Sequence, residues 1–144
     1  MSPSARAQPP VAILRAAVGV IGLAYLVLGI AGFAIAGSDM GYDETRTVWV
    51  FGVSGLLNIG HTGVGALGLA ATRNEGTVRA FGWLSFFGFA GLLAYGILAV
   101  TVSPLGNIAN VHIANVCLYG VSSVLGLLLS IVPSRGAPAT GHAT

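Results

Sequence analysis

Along the chain, polar positions fall into short clusters separated by four long apolar runs. The first runs from about Val11 to Ala36, the second from about Val48 to Ala71, the third from about Val78 to Val102 and the fourth from about Ile108 to Val132. Each is long enough for the roughly 20 residues that an α-helix needs to cross a bilayer. Pro9 and Pro10 precede the first run, Ser103-Pro104 stops the third and Pro133 stops the fourth. The flanking stretches 1–10 and 133–144 are Pro/Gly/Ser-bearing and aperiodic, and read as disordered tails. The pattern therefore predicts an all-α integral membrane protein, one four-helix domain over 11–132. Ala34-Ile35-Ala36 resembles a signal-peptidase site, but a run of about 25 residues exceeds a signal h-region of about 7–15, which favours an uncleaved span.

Within the runs, small and polar residues recur at alternating steps of three and four. The first run gives Val18, Gly22, Tyr25, Gly29, Gly32 and Ala36. The second gives Ser54, Asn58, His61, Gly65, Gly68 and Thr72, and the fourth His112, Asn115, Tyr119, Ser122 and Gly126, with Ser130 one residue beyond. Without a hydrophobic force between helices in lipid, such stripes are the faces that meet. The third run is less clear: Ser85, Gly88 and Gly91 offer close approach, while Phe81, Phe86, Phe87 and Phe89 surround the helix. Short second and third loops force antiparallel neighbours, giving an up-down-up-down bundle. The chain also divides loosely into two tandem hairpins, each opening with a Tyr-bearing helix (Tyr25, Tyr95) and closing with one bearing Asn and His.

Composition narrows the class. Of 144 residues, 55% are hydrophobic and 7% charged, against roughly 25% charged in soluble domains. The chain holds no Lys, and its Ala and Gly usage suggests a GC-rich bacterial genome. Arg6, Arg15, Arg73, Arg79 and Arg135 flank one side of the predicted spans. The first loop holds only Arg46 against Asp39, Asp43 and Glu44. The positive-inside rule then puts both termini in the cytoplasm of a bacterial inner membrane, with Trp49 at the outer interface and Trp83 at the inner one. The lone Cys117 reads as a small packing residue.

The segment "FGVSGLLNIGHTGVGALGLAATR", Phe51 to Arg73, resembles the signature of the actinobacterial four-span membrane proteins of domain-of-unknown-function family 4383. Asn58, His61, Gly65, Ala71 and Arg73 match it in order and spacing, while Gly55 and Leu57 replace the usual Pro and first His. A second signature is matched in residue type by Pro104-Leu105, Asn107, Asn110 and His112. The resemblance implies a fold and a membrane location, and no activity.

Intramembrane polar residues are candidates for function by default. Asn58, His61, Tyr25, His112, Asn115 and Tyr119 are the polar helix contacts or possible ligand contacts; Gly22, Gly29, Gly65, Gly68 and Gly126 are the close-packing positions. A b-type haem held by two histidines is disfavoured, because His61 and His112 would differ in depth by roughly 12 Å at 1.5 Å rise per residue. No span carries the carboxylate that a small proton-coupled exporter needs. No catalytic set or metal site is evident, and the acidic first loop lacks calcium-loop spacing. No cofactor is expected, and no nucleic acid. Two readings follow. One is a non-catalytic accessory or scaffold protein whose Gly-rich faces pack against a larger membrane complex or a second copy. The other is a bundle that binds a lipid, quinone or haem, with His61 and Asn58 at the site.

Overall fold

The structure, a computed structural model, describes residues 11–102 and 106–133. The expected tails, along with Ser103, Pro104 and Leu105, lie outside the described residues. Among the described residues there are four α-helices: α1 (Val11–Ala36), α2 (Gly55–Ala71), α3 (Glu75–Thr101) and α4 (Ile113–Ile131). Between α1 and α2 a two-stranded hairpin, β1 (Thr47–Val48) and β2 (Phe51–Gly52), pairs antiparallel with Thr47 opposite Gly52. Three helices, α1, α3 and α4, are long and apolar enough to cross a membrane. With 17 residues α2 is shorter.

Two expected spans therefore start later than the hydropathy suggests. The span from Val48 opens as the hairpin, because hydropathy alone does not separate an apolar strand from an apolar helix; Ser54 then caps α2, its hydroxyl accepting from the Leu57 N–H at 3.3 Å. The span from Ile108 begins with irregular chain, and α4 starts at Ile113. The third starts earlier, at Glu75, where Asn74 and Thr77 form a reciprocal capping box.

The helices pair as two antiparallel hairpins, α1 with α2 and α3 with α4. Glycine makes both crossings possible. A Cβ on Gly22 would lie 2.8 Å from the Leu69 backbone nitrogen and 3.0 Å from the Gly65 carbonyl; one on Gly65 would lie 2.5 Å from the Leu26 nitrogen. In the second hairpin a Cβ on Gly82 would lie 2.8 Å from the Gly126 carbonyl and 3.0 Å from the Ser130 nitrogen, and one on Gly126 would lie 2.6 Å from the Phe86 nitrogen. The same crossing is thus made twice, about sixty residues apart. Each hairpin is also closed by an arginine on its first helix: Arg15 donates to the Thr72 carbonyl, and Arg79 to those of Ser130 (2.8 Å) and Val132 (3.2 Å) while paired with Glu75.

On α1 the buried face includes every position of the predicted stripe. On α3 only one of the three expected approach points is used, Ser85, which meets Gly126. Gly88 and Gly91 have nothing within 4 Å, and the contact face runs instead through Phe81, Gly82, Ser85, Phe89 and Gly96. Cys117 is exposed on α4, not a packing residue. Two apolar clusters fill the interior. Leu14, Val18, Ala71, Val78, Phe81 and Leu129 gather at the arginine end. Tyr25, Leu57, Phe89, Ala109, Val111 and Tyr119 gather toward the hairpin end.

Gly65→Val is expected to drive α1 and α2 apart and to destabilise the bundle by about 1–3 kcal/mol or more, as overpacking does. Gly63→Val, on the same helix where nothing lies within 4 Å, is the control and should change little; helicity followed during heating in detergent compares the two.

Candidate functional site

At the hairpin end, two stretches of irregular backbone lie against each other, one leading into α2 and one into α4. Their main-chain groups are satisfied by side-chain amides. The Asn115 oxygen accepts from the N–H groups of Gly52 and His112, both at 2.9 Å, and its NH2 donates to the Gly52 carbonyl at 3.1 Å. Asn110 accepts from the Asp43 N–H at 3.0 Å and donates to the carbonyls of Arg46 (3.1 Å) and Val53 (3.0 Å). Ser54 donates to the Ala109 carbonyl at 2.8 Å, and Asn107 bonds both the N–H and the carbonyl of Val111. Asn110 has φ 57, the left-handed region that Asn tolerates better than most residues. No glycine substitute would keep its three bonds. In the loop above, Arg46 pairs with Asp43 at 3.0 Å and Asp39 at 3.6 Å. The Thr45 hydroxyl and N–H, with Arg46 beside them, hold the Asp43 carboxyl below its ordinary range.

Deeper in the bundle lies a second polar group with a different character. His61 is buried between the rings of Tyr25 (centroids 5.5 Å) and Tyr119 (6.3 Å), and Phe89 stacks on both tyrosines at 5.0 and 5.9 Å. The Tyr25 hydroxyl is bound to that of Ser122 at 2.7 Å. Neither His61 nitrogen has a hydrogen-bond partner, nor has the Ser85 hydroxyl. The Tyr119 hydroxyl lies beside the Asn115 amide, which has a second N–H left after its bond to Gly52, although the pair falls short of standard hydrogen-bond geometry. Asn58, one turn before His61, presses its amide against α1 at Gly32, both amide atoms likewise unbonded.

His61 and Tyr119 reach a cavity of about 370 Å³ in the seam between α2, α3 and α4. Its inner wall is Phe89, Tyr95 and these two polar side chains; its rim is Leu56, Gly60, Leu92 and Ile108, all on the bundle's exposed surface. A neutral imidazole offers one donor and one acceptor, and a phenol offers both from one oxygen. The cavity wall is nonetheless almost wholly apolar, because both His61 nitrogens and the Tyr119 oxygen are themselves buried. It contains no nucleophile–base pair.

The predicted residues thus divide. Asn58, His61, Tyr25 and Tyr119 come together in one layer. Asn115 and His112 belong to the clasp at the hairpin end, His112 packing against Gly52. His112 precedes Tyr119 by seven residues, about 10 Å along a helix axis. It does not share a layer with His61. Gly22, Gly29, Gly65, Gly68 and Gly126 all lie within the hairpin crossings. Phe89 and Gly82 escape the stripe pattern, Phe89 because four phenylalanines crowd its helix. Asn107 and Asn110 matter as much as Asn115; three asparagines within nine residues of apolar chain were the available signal.

Long apolar helices enclosing a buried polar layer define an all-helical, multi-pass membrane protein. The chain belongs to the family described as Domain of unknown function (DUF4383), which it matches over residues 15–132. No curated protein and no solved structure matches it.

Replacing Asn110 by Ala leaves the Asp43 N–H and two carbonyls without their partner, and an unsatisfied buried group costs roughly 1–3 kcal/mol. Asn110→Ala and Asn115→Leu are each expected to lower the melting temperature in detergent clearly more than Asn74→Ala, which removes only an exposed cap.

Proposed function

We propose that this protein is a non-catalytic binding bundle of the bacterial cytoplasmic membrane that holds a lipid-soluble small molecule in the seam between its two hairpins. The reading rests on one observation: an almost wholly apolar cavity, open at the bundle's surface, is walled by the rings of His61, Phe89 and Tyr119, and the His61 nitrogens beside it are buried and unbonded. A buried polar group left unbonded is costly, so a ligand whose polar head meets the His61 imidazole as that ring turns toward the cavity would stabilise the bundle. The apolar rim suits a hydrocarbon tail leaving sideways among acyl chains, and the stacked Phe89 and Tyr119 rings suit a flat, quinone-like head. The glycines of the stripes support the same reading, since they are engaged between this chain's own helices and leave the seam open.

The expected products of purification from native membranes in mild detergent, followed by solvent extraction and mass spectrometry, are the protein and one amphipathic small molecule in near-stoichiometric amount. His61→Leu combined with Tyr119→Phe should lose that molecule while keeping wild-type helicity. Equal recovery of the molecule from the double variant, or none from the wild type, counts against the site.

An accessory role beside a larger membrane complex has one observation in its favour. Gly88 and Gly91 leave an open groove on the outer face of α3, next to the stacked rings of Trp83 and Phe87 (5.8 Å), where a partner helix fits. Co-purification of one larger membrane protein, lost in Gly88→Leu, would favour that role.

For topology we propose four spans with both termini cytoplasmic. Arg15, Arg73 and Arg79 cluster at one end of the bundle, whereas Arg46 at the other is neutralised by Asp39 and Asp43. A reporter fused after Thr144 should therefore be active only when it requires the cytoplasm.

A further inference from the structure

We infer that the β1–β2 hairpin is a lipid-contacting element, its Trp49 tip seated at the boundary between headgroups and acyl chains, where it completes the crossing that α2 begins. Length is the first reason. At 1.5 Å per residue the 17 residues of α2 extend about 25 Å, short of a hydrocarbon core of about 30 Å. Val48, Val50, Phe51 and Val53 continue the apolar sequence on the hairpin side of α2.

Hydrogen bonding is the second. Non-helical backbone is tolerated at membrane depth only where the protein satisfies it. Gly52, Val53 and Ser54, with Ala109, Asn110 and Val111 opposite, are fully buried, and the Asn110, Asn115 and Ser54 side chains bond their backbone groups. The inner edge of the hairpin therefore meets the condition that membrane depth sets.

Trp49 itself is the third. It has φ 57, a conformation strained for a bulky residue, and it is 86% exposed, with a single ring contact, to Phe51 at 6.3 Å. The fold gains little from this indole. Tryptophan is favoured at the membrane interface. Val50 beside it and Ile113, which shares a cavity with Val50, are exposed and apolar, and Tyr42 and Glu44 line that same cavity with polar groups suited to the headgroup side. The ion pairs of Arg46 with Asp39 and Asp43 lie on the loop just beyond. They set the level at the headgroup boundary and not deeper.

The test uses the full chain carrying Trp83→Phe, which leaves Trp49 as its sole tryptophan, reconstituted into phosphatidylcholine vesicles. Trp49 emission should be blue-shifted and quenched at least twofold more by lipid brominated at acyl carbons 6 and 7 than by lipid brominated at 11 and 12. Aqueous iodide should quench it only weakly. Red-shifted emission, quenched by iodide as in the denatured chain, would overturn the inference and leave the hairpin in water. As a second measurement, Cys117→Ser with Trp49→Cys carries a nitroxide at the tip. Collision with oxygen exceeding collision with a water-soluble nickel chelate supports lipid contact, and the reverse ratio refutes it.

Discussion

A backbone that leaves the helix inside a low-dielectric layer must find its hydrogen-bond partners in the protein itself, and in this bundle the partners are the amides of Asn110 and Asn115. Those two side chains take up both main-chain groups of Gly52, the carbonyls of Val53 and Arg46, and the N–H groups of Asp43 and His112. The hairpin before α2 is thereby bound to the chain before α4. This joint couples the two helix pairs at one end, and it fixes the height at which α2 and α4 start. The heights of His61 on α2 and Tyr119 on α4 depend on it. The cavity between them is a consequence of the joint as much as of the helices that wall it.

Within each pair, glycine sets a different regime. Where Gly22 meets Gly65 and Gly82 meets Gly126, backbone lies on backbone, with no room for even a methyl group. Between the pairs, aromatic rings keep the helices apart: Tyr25, Phe89 and Tyr119 fill the middle by stacking. Rings are rigid and pack with gaps at their edges, whereas glycine crossings leave none. The repeated crossing thus leaves no hollow where glycine meets backbone. Among the described residues, cavities lie in the seam between hairpins and, larger, at about 690 Å³, where the ends of α3 and α4 meet Tyr42, Glu44 and Val50.

The chain's hydropathy and periodicity made the class and the α1 face legible, because a 26-residue helix offers seven turns over which small residues line up. Three features stayed hidden for physical reasons. Val48 to Val53 is as apolar as a helix, so only the three-dimensional pairing reveals the hairpin. Glycine on α3 reads the same whether it admits a neighbour, as Gly82 does, or faces outward, as Gly88 and Gly91 do. The packing of His61 beside Tyr119 joins residues from two different hairpins, a relation that no pattern within a single helix can express. Asn58 and His61 were legible as a pair but not as different things: one lies flat on α1 at Gly32, the other turns to the cavity.

That difference bears on what a buried polar group is for. A side chain that serves only to hold two helices together would be expected to bond across the contact, as Tyr25 does with Ser122, Ser123 with the Phe86 carbonyl at 3.0 Å and Arg79 with the end of α4. The bundle makes such ties repeatedly, so its geometry can supply partners where a tie is wanted. His61 has hydroxyl-bearing rings on two sides and bonds to neither. In hydrocarbon, leucine at that position would fill the space without the desolvation cost of an imidazole. His61 thus stands apart from the ties, a buried and unbonded imidazole whose ring walls the seam cavity, and that contrast is what the proposed binding role draws on.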